Sequence, residues 1–460
     1  MYKAIKNITK EMNFLSLSGY VLVACFGLVN FALLARYFAP QDFAKWVIFI
    51  SSGTLVEMII KGIMSNALIR FLSGSDHQEK PVLIGSGIVI GLLSSLSITC
   101  LLVLCYTLFK DSIDAVGYGA FFAYYPYLIW LNFSWNTAII IFRAKLRFDH
   151  ILTIKVLNSV SFFVVLILHY FYFNWTLEQL IWSYLLINLG VSLFCIVKGW
   201  SGIQYIFKAQ KKSIATLFNF GKHSVFTSLG ANLLRNSDTI IISLSPLGTT
   251  AVALYSIPLK IVQFMQIPLI SFTVTAFPKM SKASIQQNTS KLHTIFHQYT
   301  GGLSFLFILI VGLLFTFTEP LIQLISGDQY LNQQLLDVDV VILTKILIAY
   351  GLLLPTEKMT GIALDSVNKP QKNALKVGIM LVSNIVGDLI AVFVFQSLIL
   401  VAVATILFTL IGFILGVHYL KSDIQISWSH LVSGGLSVFK KIGIMMTTLK
   451  PVKPSYKDEK

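Results

Sequence analysis

Two opposite charges interrupt an apolar stretch near the middle of the chain. Residues 222–247 are long enough, at about 1.5 Å per helical residue, to cross a hydrocarbon layer of roughly 30 Å. Helical spacing places Arg235 and Asp238 on one side with Ser224 and Ser228. A charge near the membrane centre costs about 2.5–3.5 kcal/mol and seldom faces lipid, so this helix is predicted to line a water-filled space. The alternative is that Arg235 and Asp238 neutralise each other and only hold helices together.

Other ionisable residues also lie inside apolar runs. Glu57 precedes Lys61 by four residues, one helical turn, so the two side chains can pair. Arg can hold an anionic group in a forked contact, whereas Lys acts as a point charge. Asp388 could serve a coupling ion or be a hydrogen-bonded carboxyl between helices, and Lys345 could simply extend toward the membrane surface. The candidates for anion contact are Arg235, Lys260, Lys61 and Lys345, and the candidates for polar or coupling roles are Asp238, Glu57 and Asp388.

The composition excludes the soluble globular classes. Hydrophobic residues make up 56% of the chain, charged residues only 12%, and the mean hydropathy is +0.77. The four cysteines lie inside apolar runs without metal-ligand spacing, so neither a disulfide framework nor a metal site is predicted. We expect an all-α membrane protein of about twelve transmembrane helices, with spans at about 13–37, 46–69, 81–109, 116–142, 151–173, 178–197, 222–246, 251–277, 297–318, 336–363, 374–396 and 398–419.

The basic residues alternate along the connections between these spans. Of the 35 Lys and Arg, 26 fall in the two ends and in every second connection, and three fall in the opposite set. The positive-inside rule then predicts a multi-pass protein with both termini in the cytoplasm. This pattern accounts for the net charge of +15 by topology and by attraction to anionic lipid heads, without nucleic-acid binding.

A weak internal repeat relates the two halves of the chain. FAPQDFAKW (38–46) and LGTTAVALY (247–255) share a pattern of apolar, small, alanine and aromatic positions. The offset between them places Glu57 on Gln266 and Arg70 on Lys279. It predicts two six-helix lobes, 1–200 and 222–420, joined by a basic cytoplasmic linker, 201–221. Parallel repeats of this kind hold a substrate cavity between the lobes. Residues 421–460 are predicted to be a basic cytoplasmic tail with an amphipathic segment at 431–446.

Three stretches carry a resemblance to a known family. They are LARYFAPQDFAKW (34–46), the long segment from Ser237 to Ser281, and LIQLISGDQYLNQQLLDVDVV entering the tenth span. The chain resembles the polysaccharide/oligosaccharide flippases over about residues 13–420. That family belongs to a superfamily that also holds multidrug MATE exporters and lipid II flippases. Ala44 and Ala253 depart from it, because glycine is common at these positions in such families.

The resemblance implies a V-shaped transporter of two helical lobes in a bacterial inner membrane. It would move a polyprenyl-diphosphate-linked oligosaccharide of the O-antigen type to the outer leaflet by alternating access. Its partners would be that substrate, membrane lipids and other polysaccharide-assembly proteins, with no cofactor beyond a coupling proton or sodium ion. The alternatives are a cation-coupled multidrug exporter and a membrane glycan polymerase or ligase. No nucleophile and base are paired in the sequence, and the longest outer connection has about seventeen residues, so no enzyme is expected.

Overall fold

All secondary structure in the described part of the chain is helical. The computed structural model describes residues 22–76, 78–145, 147–173, 175–331, 338–427 and 429–437, without the side chains of 63, 66, 73–74, 222–232, 234–235, 271 and 274. The helices are α1 (described part Leu22–Tyr37), α2 (Pro40–Gly74), α3 (Lys80–Ala115), α4 (Gly119–Ala144), α5 (Phe148–Tyr172), α6 (Leu177–Val197), α7 (Lys211–Ser243), α8 (Gly248–Met265), α9 (Ile267–Ile285), α10 (Thr289–Thr316), α11 (Thr318–Ser326), α12 (Val340–Ala349), α13 (Leu354–Ser366), α14 (Pro370–Leu389) and α15 (Leu398–Leu420).

The predicted all-α membrane architecture is confirmed, but the count of twelve spans is not settled. Every predicted span coincides with a helix or a pair of consecutive helices, although residues 13–21 of the first lie outside the described residues. Within the described part, eight helices are long and apolar enough to cross a membrane, or nine if the bent pair α12 and α13 forms one span. The long helices α4 and α7 are not among them. Both carry several polar residues along the predicted span.

The chain divides into two compact units. Unit 1 comprises Met1–Lys260, Glu319–Thr344 and Ile385–Val401, and unit 2 comprises Ile261–Thr318, Lys345–Asn384 and Ala402–Lys460. In unit 1, α2 packs against α3, α4 and α7, and in unit 2, α10 packs against α9 and α13. The unit boundaries run through α8, α11, α12, α14 and α15. The two six-helix lobes with their linker and tail therefore stay a prediction.

The connections in unit 1 alternate between two ends. The starts of α2, α4 and α6 line one cavity of about 520 Å³ together with the end of α3. At the other end, the backbone N–H of Gln210 donates to Ser86 Oγ at 3.2 Å. Partial burial, followed by the positive charges of Lys80 and Arg147, lowers the pKa of Lys145 at that end. The alternation of loops agrees with the charge pattern, and the side facing the cytoplasm stays a prediction.

The internal repeat has a structural counterpart. Helices α2 and α8 begin at Pro40 and Gly248, close to equivalent positions of the two motifs. Ala44 and Ala253 are completely buried, so a larger side chain would have no room at either place. Small residues recur here because each helix enters a tightly packed region immediately after its first turn.

Two helices of unit 2 are interrupted, and their breaks lie together. The first break is at Gln266, between α8 and α9, and the second is at Tyr350–Leu352, between α12 and α13, where the bend is 40°. The Gln266 side-chain amide donates to the Tyr350 hydroxyl at 2.5 Å. Pro268 and Pro355 follow the breaks in the first turns of α9 and α13, where proline is tolerated. The two breaks therefore bring the polar side chains of Gln266 and Tyr350 into contact.

The short helix 429–437 packs against α10. Residues 429–437 are helical, and a Cβ at Gly301 would lie 2.0 Å from the Leu431 carbonyl oxygen. Only glycine therefore allows this approach of the two backbones. The rest of the predicted amphipathic segment, and of the tail, lies outside the described residues.

Candidate functional site

A carboxylate and an ammonium on α2 form an ion pair, as their spacing predicts. Lys61 Nζ donates to Glu57 Oε2, and the other carboxylate oxygen, Oε1, accepts from Asn132 Nδ2 of α4 at 2.7 Å. The Trp135 indole N–H donates in turn to Asn132 Oδ1 at 3.1 Å. Glu57 and Lys61 keep 22% and 33% of their side-chain surface exposed, so the cluster is half-buried and can reach solvent.

Aromatic and cationic side chains surround this pair. The Lys61 ammonium lies 5.6 Å from the centre of the Trp135 ring, within the range of a cation–π interaction. Lys155 of α5 lies close enough to feel the charges of Lys61 and Arg143. This proximity joins α5 to α2, so no helical spacing in the sequence predicts it. One carboxylate therefore shares its surroundings with three cations.

Lys260 presents a different electrostatic situation. Its Nζ lies 5.1 Å from the centre of the Phe31 ring, also in unit 1. No carboxylate of the described residues forms an ion pair with it. A cation–π contact contributes about 0.5–2 kcal/mol but leaves the charge un-neutralised. Lys260 is therefore a half-buried cation with capacity for an anionic ligand.

Lys345 in unit 2 repeats this arrangement. Its Nζ lies 5.3 Å from the centre of the Phe315 ring, and it too lacks an ion pair within the described part of the chain. Two of the four predicted anion-contact residues thus share one environment: an aromatic ring and no carboxylate.

Of the predicted pair Arg235 and Asp238, the structure describes only the Asp238 side chain. The side chain of Arg235 lies outside the described residues, so its pairing is untested. Asp238 is buried, and its Oδ2 accepts from the Tyr255 hydroxyl at 2.8 Å while Oδ1 accepts from Ser237. Tyr255 is the aromatic position of the second repeat motif. The acid therefore joins α7 to α8, a contact that the sequence motifs did not predict.

Asp388 is completely buried near the end of α14 and interacts with its surroundings. The helix changes to a π-helical turn at Ile390–Val394, two residues later. Such turns occur often at functional sites, because they shift side chains out of the regular helical register. Both the coupling-ion and the structural interpretation of Asp388 stay open.

Comparison with known proteins identifies the family. The sequence matches the profile of the polysaccharide biosynthesis protein family over residues 10–284, more than half of the chain. The chain belongs to the polysaccharide biosynthesis protein family. No curated protein matches its sequence.

Solved structures show which fold this member of the polysaccharide biosynthesis protein family adopts. It is similar to an inward-facing multidrug resistance MATE family transporter of the MOP superfamily, with a TM-score of 0.71, 14% identity, and coverage of 87% of this chain and 95% of that chain. It is also similar to the lipid II flippase MurJ in an inward closed conformation, with a TM-score of 0.67, 16% identity, and coverage of 97% and 94%. A MOP superfamily transporter from Pyrococcus furiosus matches with a TM-score of 0.54 and 15% identity. The fold is thus that of this superfamily.

A further buried carboxylate, Glu357 of α13, lies outside the set of site residues that the sequence predicted. Lys376 Nζ of α14 lies 3.0 Å from Glu357 Oε1, with 1% and 3% of the two side chains exposed. Lys358 Nζ lies 3.2 Å from the other oxygen, Oε2. A buried acid in a membrane protein requires a counter-ion, and these two lysines supply it.

The structure brings some predicted site residues together and leaves others apart. Glu57 and Lys61 are bonded, and Asp238, Lys260 and Asp388 lie in the same unit without a described bond between them. Lys345 belongs to the other unit. Chemically, each of the two units can present positive charge from a helix of a membrane protein.

Proposed function

We propose that the protein moves an anionic, lipid-linked oligosaccharide from the cytoplasmic to the outer leaflet of a bacterial inner membrane. The carrier lipid would be a polyprenyl diphosphate, and both protein termini would lie in the cytoplasm. Membership of the polysaccharide biosynthesis protein family supports the glycan, and the MOP superfamily fold supports transport by alternating access. Other polysaccharide-assembly proteins are proposed as partners, and a proton or sodium ion as the coupling ion. Neither a cofactor nor a catalytic residue is part of the proposal.

The observation that carries the proposal is the environment of the Lys260 ammonium group. A diphosphate crossing a medium of low dielectric constant needs cations that are not already neutralised. Lys260 has an aromatic neighbour and no carboxylate partner among the described residues. A half-buried ammonium without a carboxylate partner attracts phosphate oxygens, because a charge-assisted hydrogen bond then neutralises it.

The electrical field favours the proposed direction. With a negative cell interior, an anion that moves outward gains about 2.3 kcal/mol per charge per 100 mV. The prenyl tail would stay in the bilayer while the charged head passes along the cationic side chains. Because the potential already drives the anion outward, the cationic side chains are proposed to lower the barrier along the path rather than to bind the head tightly.

Deletion of the protein in its own host tests the function. Lipid-linked oligosaccharide should accumulate at the cytoplasmic face of the inner membrane, where an impermeant glycan-modifying enzyme cannot reach it from outside. Full-length polymer outside the cell with unchanged precursor would refute the proposal. Accumulation of cationic dyes with normal precursor distribution would instead indicate a drug exporter.

A pair of variants tests the residue. Lys260→Ala in the deleted host should fail to restore export, whereas Lys260→Arg should restore it in part because the charge is kept. Lys45→Ala is the matched control, since Lys45 is half-exposed and already paired with Asp42 at 3.0 Å. Equal export by the Lys260 and Lys45 alanine variants would refute the role of Lys260.

A further inference from the structure

The cluster around Glu357 in unit 2 holds one more positive charge than negative charge. Its carboxylate contacts the ammonium groups of Lys376 and Lys358 at 3.0 and 3.2 Å. Asp365, the other carboxylate on α13, bonds the Asn373 amide at 3.0 Å and lies within electrostatic range of Lys376, but it forms no ion pair among the described residues. One lysine is therefore sufficient to neutralise Glu357, and the second is in excess.

The two lysines are not equivalent, because their surroundings differ. Lys376 has 1% of its side chain exposed, and its Nζ also donates to the Glu357 backbone oxygen at 3.0 Å. A Cβ on Gly361 would lie 3.2 Å from that Nζ, so the backbone of α13 closes over it. Lys376 cannot leave Glu357 without stranding a buried charge. It is the fixed counter-ion.

Lys358 has 43% of its side chain exposed and can move. It lies five residues beyond the middle of the span formed by Val340–Leu352 and Leu354–Ser366, or about 8 Å along the helix axis. At that depth an exposed ammonium is stable only beside water or an anion. When Lys358 turns away from Glu357, Lys376 still neutralises the carboxylate. Its release therefore leaves no buried charge unpaired.

We propose that Lys358 binds the phosphate group of a lipid-borne anion inside the membrane, and that the Glu357–Lys376 pair holds it in place between binding events. The proposal deepens the proposed function, because the diphosphate of a transported lipid is one source of such a group. The headgroup of an anionic bilayer lipid is the other source. Because Lys376 already neutralises Glu357, the carboxylate competes weakly for Lys358 and orients it without permanently neutralising it.

Binding to the purified full-length protein tests the proposal separately from transport. The protein in uncharged detergent is titrated with geranyl diphosphate, and with short-chain phosphatidylglycerol, by isothermal calorimetry. Lys358→Gln should weaken binding of at least one ligand by about tenfold or more, as expected for a lost charge-assisted contact. Lys358→Arg should keep most of the affinity. Lys372→Gln is the matched control, because Lys372 is an exposed lysine on α14 beside the Tyr419 ring.

The double variant Glu357→Gln/Lys376→Met removes the buried pair but keeps Lys358. Because both charges go together, the protein should fold, and binding should equal or exceed that of the wild type since no carboxylate competes. Dependence on Lys358 with geranyl diphosphate assigns the site to the transported lipid, and dependence only with phosphatidylglycerol assigns it to a bilayer lipid. Equal binding by Lys358→Gln and wild type for both ligands overturns the proposal. A deletion host with normal export would refute the proposed function but not a Lys358-dependent affinity.

Discussion

Among the described residues, two carboxylates inside the predicted spans, Glu57 and Glu357, pair with lysine, and their surroundings differ. Glu57 lies on a continuous helix, keeps 22% of its side chain exposed, and bonds one lysine and one amide. Glu357 follows a helix break, is 3% exposed, and contacts two lysines. The first cluster keeps its ion pair partly accessible to solvent. The second cluster fixes one lysine inside the protein and leaves the other one available.

The difference shows what determines the cost of an intramembrane charge. A partly exposed pair can replace a lost partner by water, whereas a buried pair cannot. Two ion pairs between the same residue types therefore differ in how much stability is lost when one partner is removed. Stability measurements of matched variants in detergent, read as shifts of thermal unfolding, can test this comparison directly.

The largest effect is expected for Glu357→Gln. It leaves Lys376 charged and buried without a carboxylate, which costs about 3–5 kcal/mol when a buried pair is broken. Glu57→Gln is the matched variant and should lose much less, because Lys61 is one-third exposed. A smaller loss for Glu357→Gln than for Glu57→Gln would show that burial does not separate the two clusters.

The next effect is expected at the glycines beside the clusters. A Cβ at Gly53, one turn before Glu57, would lie 2.1 Å from Tyr125 Cε2, and Tyr125 is buried and donates to the Gly53 carbonyl at 2.6 Å. Gly53→Ala should therefore destabilise by about 1–3 kcal/mol through overpacking. Gly361→Ala should cost less, because its nearest atoms are side-chain ends at 3.0 and 3.2 Å. The reverse order would contradict the packing around α2.

A smaller effect is expected for Lys61→Ala. Glu57 keeps its hydrogen bond from Asn132 and gains water, so the loss should be about 1–2 kcal/mol. Asn132→Ala in the same background should add to this loss by more than it costs alone, since the two donors share one carboxylate. Simple additivity would mean that the two contacts are independent.

The smallest effect is expected for Lys45→Ala, below about 0.5 kcal/mol, because both Lys45 and Asp42 are 43% exposed. This variant calibrates the others. A loss comparable to that of Glu357→Gln would mean that the thermal assay reports something other than the buried pairs.

Helical periodicity in the sequence predicted the features that depend on residues within one helical turn of each other. Hydropathy gave the positions of the helices, and the spacing of Glu57 and Lys61 predicted their ion pair, because both depend on neighbours within one turn. Contacts between helices could not be predicted in this way. Asn132 reaches Glu57 across 75 positions, and Lys376 reaches Glu357 across 19, so no periodicity connects them. Pro268 and Pro355 mark the breaks at Gln266 and Tyr350 in the sequence, but the hydrogen bond that joins the two breaks spans 84 positions and has no local signal.

The central claim is that un-neutralised lysines inside the spans carry the negative charge of a lipid-linked glycan. The most direct measurement is translocation of a polyprenyl-diphosphate oligosaccharide in proteoliposomes, comparing the wild type with Lys260→Ala, and using Lys45→Ala as the control. The account predicts that Lys260→Ala lowers the rate by about tenfold or more with unchanged thermal stability, while Lys45→Ala translocates normally. Wild-type rates for a folded Lys260→Ala protein would contradict it.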